Sequence, residues 1–248
     1  TGLASSNIGG LGAFRIGTGL GSAGIRPERQ RELEAGIDAT LFKNRGTLEL
    51  TGFQRNISDL LITRTLPPTS GYSSEVSNGA EMKVWGAEVA ASLTPVQRGT
   101  LTWNTRVNWG MNRSEITSLP VPAFLLGTFQ VGAVRIEKGK SATQLIGNDT
   151  LPQSPRTLYP NGVLMGDGNP DWAGGWSNEV RWHRFSAFAL LDRQQGGMLA
   201  NGTWRHYDLG QNSRDFDDPG PNGQKLGNFR RNTYLVVTRI YQRAEIGR

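Results

Sequence analysis

The stretch from Asn169 to Gly197 constrains the possible folds more than any other part of this chain. In its first half, the residues of one parity are apolar or small except for Asn178, and those of the other parity are mostly polar. This period of two predicts an extended strand with one aromatic and one polar face. The pattern stops at His183 and Arg184 and resumes at Phe185, which predicts two antiparallel strands joined by a very short turn.

Several tryptophans fall on the apolar parity of such strands, which is unusual for a sheet that faces water. Trp favours the membrane interface, and lipid-facing residues alternate with lumen-facing ones in a membrane-spanning sheet. The residues predicted to face lipid are Trp103, Trp109, Trp172, Trp176 and Trp182. If this face were exposed to water, the same rings could instead stack on sugars. The lipid interpretation is favoured because the opposite parity already supplies a polar surface.

Three further stretches show the same period of two: Leu33 to Leu41, Val84 to Leu93 and Leu101 to Met111. The polar parity of the first stretch carries Glu32, Glu34 and Asp38. Carboxylates are costly at the centre of a bilayer, so this face is expected to meet water or a lumen. Glu34 and Asp38 could also be paired catalytic acids, but carboxylates lining a wet lumen are the simpler interpretation.

The connections alternate between short and long. Short turns are predicted at 43–46, 94–99 and 183–184, and long connections at 56–81, 113–168 and 196–231. Within the first long connection, 59–66 is predicted to extend a strand beyond the bilayer. The stretches 13–21 and 123–140 are further strand candidates, and 233–242 is predicted to be a final strand. Short turns on one side and long loops on the other are typical of outer-membrane barrels. The predicted fold is therefore all-β: a segment of an antiparallel up-and-down transmembrane β-barrel with eight or nine strands.

Composition agrees with this class and argues against others. Hydrophobic residues make up 36% of the 248 residues and 33 are glycine, which suits strands that alternate small or apolar residues with polar ones. No apolar run approaches the roughly 20 residues of a membrane helix. The absence of cysteine excludes disulfides and thiolate metal sites. The net charge of +6 comes from basic residues scattered among acidic ones, so no nucleic-acid partner is predicted.

Three stretches in combination resemble the C-terminal barrel half of TonB-dependent outer-membrane receptors, specifically the SusC/RagA-like group. They are RPERQRELEAGIDATLFKNRGTLELTGFQRNISDLL at 26–61, LPPTSGYSSEVSNGAEMKVWGAEVAASLTP at 66–95, and GNPDWAGGWSNEVRWHRFSAFALLDRQQGG at 168–197. The resemblance implies a barrel of about 22 strands closed by a plug. The whole chain, 1–248, would then be one part of that barrel domain, with the plug and the chain ends missing.

The resemblance also implies a function and a location. It implies an importer rather than an enzyme, in the outer membrane of a Gram-negative bacterium and in contact with its lipid, with no cofactor. Its implied partners are a SusD-like surface lipoprotein and the TonB complex, which would act through the missing N-terminal part. The implied cargo is an oligosaccharide or a peptide.

Candidate binding residues lie in the long connections. Asp167 and Asp171, and in another loop Asp215 and Asp217, could place oxygens around Ca²⁺, although neither loop has the Gly and distal Glu of an EF-hand, and solvated loop carboxylates remain the simpler interpretation. The loop aromatics Tyr72, Trp204 and Tyr207 are candidates for ligand contact, with ordinary loop packing as the alternative.

Two other functions stay open at this point. One is a soluble β-rich carbohydrate-binding or adhesin module, which the alternating strands would also fit. The other is a β-rich hydrolase, which is disfavoured because His183 and His206 are the only histidines and neither has a recognisable catalytic partner.

Overall fold

The computed structural model describes residues 3–129, 132–147, 150–151, 154–158, 162–199, 201–220, 223–234 and 244–245. These residues form mostly antiparallel strands, as predicted, with two short helices: α1 (Gly202–Leu209) and α2 (Leu226–Tyr234). The strands are β1 (Leu3–Ile8), β2 (Leu11–Ile16), β3 (Gly19–Gly21), β4 (Arg29–Leu41), β5 (Gly46–Thr65), β6 (Ser74–Arg98), β7 (Leu101–Ser118), β8 (Phe124–Phe129), β9 (Gly132–Ile136), β10 (Gln144–Gly147), β11 (Thr150–Leu151), β12 (Ser154–Leu158), β13 (Val163–Asp167), β14 (Pro170–Trp182), β15 (Phe185–Gly196), β16 (Met198–Leu199) and β17 (Ala244–Glu245).

The main sheet contains the long strands in the order β15-β14-β7-β6-β5-β4, each antiparallel to its neighbour. β3 adds to β6 as a short parallel strand. The predicted hairpins are confirmed: β4 pairs with β5 up to Leu41 and Gly46, and β14 pairs with β15 up to Trp182 and Phe185. His183 takes a φ of 51° in the second turn, the left-handed conformation that so tight a reversal requires.

The third short turn is narrower than predicted. β6 runs to Arg98 and β7 begins at Leu101, so only Gly99 and Thr100 connect them instead of 94–99. The register shifts between Leu93 and Val96, and this β-bulge accommodates Pro95, which has no N–H to donate to the ladder. As a result, β6 continues five residues past Leu93, the residue that pairs with Gly46 at the neighbouring turn.

The predicted connection at 56–81 is mostly strand, and the strand extension predicted at 59–66 is confirmed as far as Thr65. β5 continues to Thr65 and β6 begins at Ser74, so the actual connection is 66–73 and includes a single 3-10 turn at Pro68–Ser70. The register shifts between Ile57 and Leu60, and Asp59 takes a φ of 59°. Because such a bulge moves the following side chains to the other face, the alternation is interrupted although the strand continues.

The other long connections also contain regular structure, which raises the number of strands above the eight or nine expected. Residues 113–168 complete β7 and include a separate sheet of order β13-β10-β9-β8. The connection after β15 contains α1 and α2. The predicted strand at 233–242 is wrong at Thr233 and Tyr234, which belong to α2, and its remainder lies outside the described residues. No helix among the described residues is long and apolar enough to cross a membrane.

Apart from Phe216, the buried apolar side chains of the described residues lie at one end of the main sheet and in the smaller sheet next to it. We call the edge with the three short turns the short-turn edge and the opposite one the long-connection edge. Buried apolar residues lie at the long-connection ends of β5, β6 and β7 and in the smaller sheet; they are Ile62, Ala80, Ile116, Ala133, Ile136, Leu145 and Ile146. The Ile116 N–H donates to Lys140 O at 2.9 Å, which joins β7 to the turn after β9.

The two faces of the main sheet differ in chemistry across six strands. Direct cross-strand partners on one face, the apolar face, are Leu191, Trp176, Val107, Ala91, Leu48 and Ala39. The adjacent row on the other face, the polar face, contains Ser177, Arg106, Ser92, Thr47 and Thr40, and it ends on β15 in the apolar Leu190. The hydroxyls of Thr47 and Ser92 lie 2.7 Å apart within that row. The predicted separation into one apolar and one polar face is therefore present from β14 to β4, whereas β15 also has apolar side chains, Phe188 and Leu190, on its polar face.

Candidate functional site

All five tryptophans predicted to face lipid have the parity of the apolar face in β7 and β14. Trp176 and Trp182 are the most open of them, with 48% and 56% of their surface exposed. Trp85 of β6 belongs to the same face. It lies within the alternating stretch from Val84 to Leu93 but was not among the tryptophans predicted to face lipid. It lies opposite Arg113 of β7.

Two polar residues of the apolar face accept hydrogen bonds from tryptophan side chains. Trp103 Nε1 donates to Asn178 Oδ1 at 3.0 Å, and Trp176 Nε1 donates to Thr105 Oγ1 at 2.9 Å. Asn178 and Thr105 are themselves direct cross-strand partners. An indole N–H has no acceptor in hydrocarbon, so these two side chains let both rings stay on an apolar surface. Asn178, which interrupts the sequence pattern, is therefore a partner of Trp103 on the neighbouring strand.

The polar face carries charged and amide groups around open hollows. One cavity of about 300 Å³ is lined by Asn104, Arg106, Ser177, Glu179 and Phe188, among others. Toward β4, Glu32 pairs with Arg55 at 3.0 Å, whereas Asp38 lies directly opposite Glu49. Directly opposed like charges destabilise a sheet unless water surrounds them. This side of the sheet is therefore suited to an aqueous space.

A second depression lies in the connection after β15, beside α1. Its volume is about 580 Å³, and Trp204 and Tyr207 line it together with Asn201, Thr203, Asn212, Ser213, Arg214 and Asp215. Two of the three predicted ligand-contact aromatics are thus brought together, one helical turn apart. Asn201 caps α1 by accepting the Trp204 N–H at 2.9 Å, which fixes the start of the helix that presents both rings. Tyr72 lies elsewhere, in the connection 66–73, where its N–H donates to Ser70 Oγ.

An ion network holds this depression in shape. Arg230 of α2 donates to both carboxylate oxygens of Asp208 on α1, each at 2.7 Å, and to both oxygens of Asp215 at 2.9 Å. The side chains of Arg230 and Asp208 are 5% and 0% exposed, and the guanidinium also lies 4.7 Å from the centre of the Trp204 ring. The hydrogen bonds from Arg230 lower the pKa of Asp215 below its usual range. Sequence reasoning missed Arg230, and the acidic run at 215–218 was the only signal that a cation was required.

The carboxylates considered as calcium ligands all have protein partners. Burial raises the pKa of Asp167, but hydrogen bonds from Thr143, Ser141 and the Asn169 N–H outweigh it, so the pKa is below its usual range. Asp171 pairs with Arg113 at 3.3 Å, Asp217 with Lys225 at 2.6 Å, and Asp215 with Arg230. Within the described ranges, no three His, Asp or Glu side chains are placed to hold a metal ion.

Comparison with known proteins gives consistent results. The model of the family described as TonB dependent receptor-like, beta-barrel, matches residues 3–239. TonB-dependent receptor P3 of Formosa agariphila is 25% identical over 221 residues, which cover 75% of this chain and 22% of that protein. TonB-dependent receptor P39 of the same organism is 25% identical over 150 residues, covering 59% of this chain and 14% of that protein.

Among solved structures, the RagAB peptide importer in its open-open state superposes with a TM-score of 0.65 and 19% identity. The superposition covers 99% of this chain and 28% of that chain. At this identity the likeness establishes the fold. The chain also spans less than a third of the length of the relatives it matches.

Proposed function

Because this chain belongs to the TonB-dependent receptor-like β-barrel family, we propose that it forms part of the wall and external loops of an outer-membrane importer in a Gram-negative bacterium. The observation that carries this proposal is the apolar face, which extends across six strands. Its side chains are largely open, as for Leu33 at 76% and Leu191 at 64%. Lipid covers such a face without any second protein layer.

We assign the importer to the SusC/RagA type. The fold match to RagAB, which is named as a peptide importer, supports a bulky cargo, and a peptide or an oligosaccharide fits the mixed aromatic and polar chemistry of the loops. A SusD-like surface lipoprotein would cover the external mouth. The TonB complex would supply the energy through parts of the protein outside this chain.

In this proposal the two faces of the sheet have separate tasks. The polar face lines the lumen, where its amides and charges keep the passage hydrated. The short turns face the periplasm and the long connections face the outside. The depression on α1 makes the first contact with cargo, with Trp204 and Tyr207 stacking on sugar or peptide groups while Asn212 and Arg214 supply hydrogen bonds. Tyr72 is a second, separate contact in the connection 66–73.

Fractionation of the full-length protein tests the location. We expect it in the outer-membrane fraction and soluble only with detergent. Recovery in the soluble fraction without detergent would contradict the importer and favour a soluble carbohydrate-binding or adhesin module.

Binding measurements test the cargo site. Trp204→Ala or Tyr207→Ala should weaken binding of peptides or oligosaccharides between about twofold and tenfold, the range for loss of one aromatic contact. His206→Ala is the matched control, since His206 lies on the same helix, is exposed and does not line the depression. Equal affinities for all three variants would exclude the depression as a cargo contact.

A further inference from the structure

Arg106 is the cation of a cavity on the polar face of the main sheet. It lies on β7 between its direct cross-strand partners, Ser92 of β6 and Ser177 of β14, and it lines the cavity of about 300 Å³ described above. Among the described residues, no carboxylate pairs with its guanidinium. Glu179, the acidic residue of the same cavity, is held by Arg181 at 2.6 Å. We call this cavity the Arg106 hollow; its lining carries a positive charge that the described residues leave unbalanced.

The walls beside Arg106 supply further hydrogen-bond donors. The Thr94 hydroxyl donates to Asn104 Oδ1 at 2.9 Å, which orients that amide and leaves its NH2 group as a donor. Ser177, directly opposite Arg106, adds a hydroxyl. A guanidinium presents parallel N–H donors that match the two oxygens of a carboxylate, and amide and hydroxyl donors complete such a site. The polar part of the hollow is therefore suited to a carboxylate.

Two apolar side chains of β15 border the Arg106 hollow. Phe188 lines it and is the cross-strand partner of Glu179, and Leu190 is the partner of Ser177. Both side chains are largely exposed, although they lie on the polar face. Neighbouring apolar side chains that are open to water favour contact with an apolar group. A ligand that fits the whole hollow must therefore carry a carboxylate next to an apolar group.

Charges elsewhere on the polar face narrow the choice of ligand. Glu49 and Glu88 line the next cavity toward the long-connection edge, which has a volume of about 270 Å³. Glu88 is four residues from Ser92 along β6, a distance of about 13 Å. A glycan with many carboxylates would be repelled there. A peptide instead carries one terminal carboxylate, with the last side chain on the same carbon, and an amino group of opposite charge at its other end.

We propose that the Arg106 hollow binds the C-terminal residue of a peptide cargo, with the carboxylate on Arg106 and an apolar side chain on Phe188 and Leu190. This inference rests on the proposed function, which makes the polar face the wall of the lumen. Arg106 is five residues from Leu101, the first residue of β7. At about 3.3 Å per residue and a tilt of about 45°, it lies roughly 12 Å above the short-turn edge. The hollow is thus a second cargo contact, deep in the wall and separate from the depression on α1.

The test measures energised uptake by cells that carry the full-length protein. The probe is a decapeptide of alanine and serine that ends in leucine, supplied at low concentration either as the free acid or as the C-terminal amide. The unmodified protein should take up the free acid about tenfold faster, within the range for hydrogen bonds to a charged group. Arg106→Gln should remove this preference, because it removes the cation, and Arg106→Lys should keep part of it.

Three further variants serve as controls. Arg55→Gln is the matched control, since Arg55 lies on the same face but already pairs with Glu32 at 3.0 Å, and it should keep the preference for the free acid. Phe188→Ser should reduce the preference for a last leucine over a last glycine. Trp204→Ala, in the depression on α1, should slow the uptake of both forms equally. Each result is a ratio between two peptides in the same cells, so a change in the amount of folded protein cancels.

Equal uptake of the free acid and the amide by the unmodified protein would overturn the inference. An equal slowing of both forms in Arg106→Gln would also overturn it, because the hollow would then be filled by another part of the full-length protein. Uptake of oligosaccharides but not of peptides would overturn the inference and leave the proposed function intact. Recovery of the protein in the soluble fraction would instead remove the proposed function itself.

Discussion

Adjacent leucines on β15 provide a direct test of which face meets lipid. Leu191 is on the apolar face opposite Trp176, and Leu190 is on the polar face opposite Ser177. They are 64% and 62% exposed, so they differ in little except the side of the sheet on which they lie. We predict that Leu191→Arg destabilises the full-length barrel strongly and that Leu190→Arg does not.

The depth of Leu191 in the bilayer determines how much unfolding free energy Leu191→Arg should lose. It lies six residues from Phe185, the first residue of β15. At about 3.3 Å per residue and a tilt of about 45°, this is roughly 14 Å above the short-turn edge, near the middle of an apolar band about 25 Å tall. Arg at the midplane of a membrane barrel costs about 2–4 kcal/mol, whereas a residue facing the lumen is in water and costs little.

The assay is denaturant unfolding of the full-length protein and both variants in phospholipid vesicles, followed by the loss of the folded, heat-modifiable band on gels. The difference between the free energies of unfolding of the two variants is the quantity of interest. If both variants lost the same stability, or Leu190→Arg lost more, the assignment of the apolar face to lipid would be refuted. A soluble module, in which both side chains face water, would show almost no loss for either.

Three other features lead to measurable outcomes. Asn178→Leu removes the acceptor of the Trp103 indole N–H, so in lipid it should cost about 1–3 kcal/mol of unfolding free energy, and adding Trp103→Phe should recover most of that loss. Arg230→Met removes the guanidinium that pairs with the buried Asp208 carboxylate and should lower the local free energy of unfolding by about 3–5 kcal/mol. The measurement is the rate of proteolysis between 198 and 234, which should rise, and Lys225→Met, on the exposed pair with Asp217, is the control. The lowered pKa of Asp167 stabilises the segment around it above the unfolded pKa, and that contribution is lost as pH falls through the lower folded pKa. The protection factors of the backbone amides at 162–169, which are corrected for the slower intrinsic exchange in acid, should therefore fall in acid, and Asp167→Asn should remove this pH dependence.

The parts of the fold that could be predicted are those with uninterrupted alternation. Strands around Ile37, Val107 and Trp176 repeat every second residue, so their existence and faces followed from the sequence, whereas the turn before the Val107 strand is shorter than its pattern indicated. The strand extension at 59–66 was also predicted, but its pairing with β6 was not, because the bulge at Asp59 shifts the register and interrupts the pattern. The length of a strand depends on its pairing with neighbouring strands, and the alternation within one strand does not reveal that pairing.

The candidate site was predictable only in part, for a related reason. Trp204 and Tyr207 could be picked out as loop aromatics, but α1 is short and polar, and the two rings line one depression only because residues 212–215 fold back beside that helix. Arg230 joins Asp208 and Asp215 across separations of 22 and 15 residues. Likewise, Asn178 interrupts the apolar pattern of its strand, and the sequence does not show why, because the indole N–H that it accepts belongs to Trp103, 75 residues away.

The stagger of the short turns has a consequence for the shape of the whole barrel. The β6–β7 turn lies five residues further along than the β4–β5 turn, while the β14–β15 turn is level with β6–β7, as Trp182 pairs with Leu101. Across four strand-to-strand steps the strand ends are therefore staggered by a little over one residue per step. When a sheet with this stagger closes into a barrel, the last strand meets the first one at a shifted register. This shift, the shear, requires the strands to tilt relative to the barrel axis. The inclination assumed for the membrane band is thus already present in the spacing of three turns.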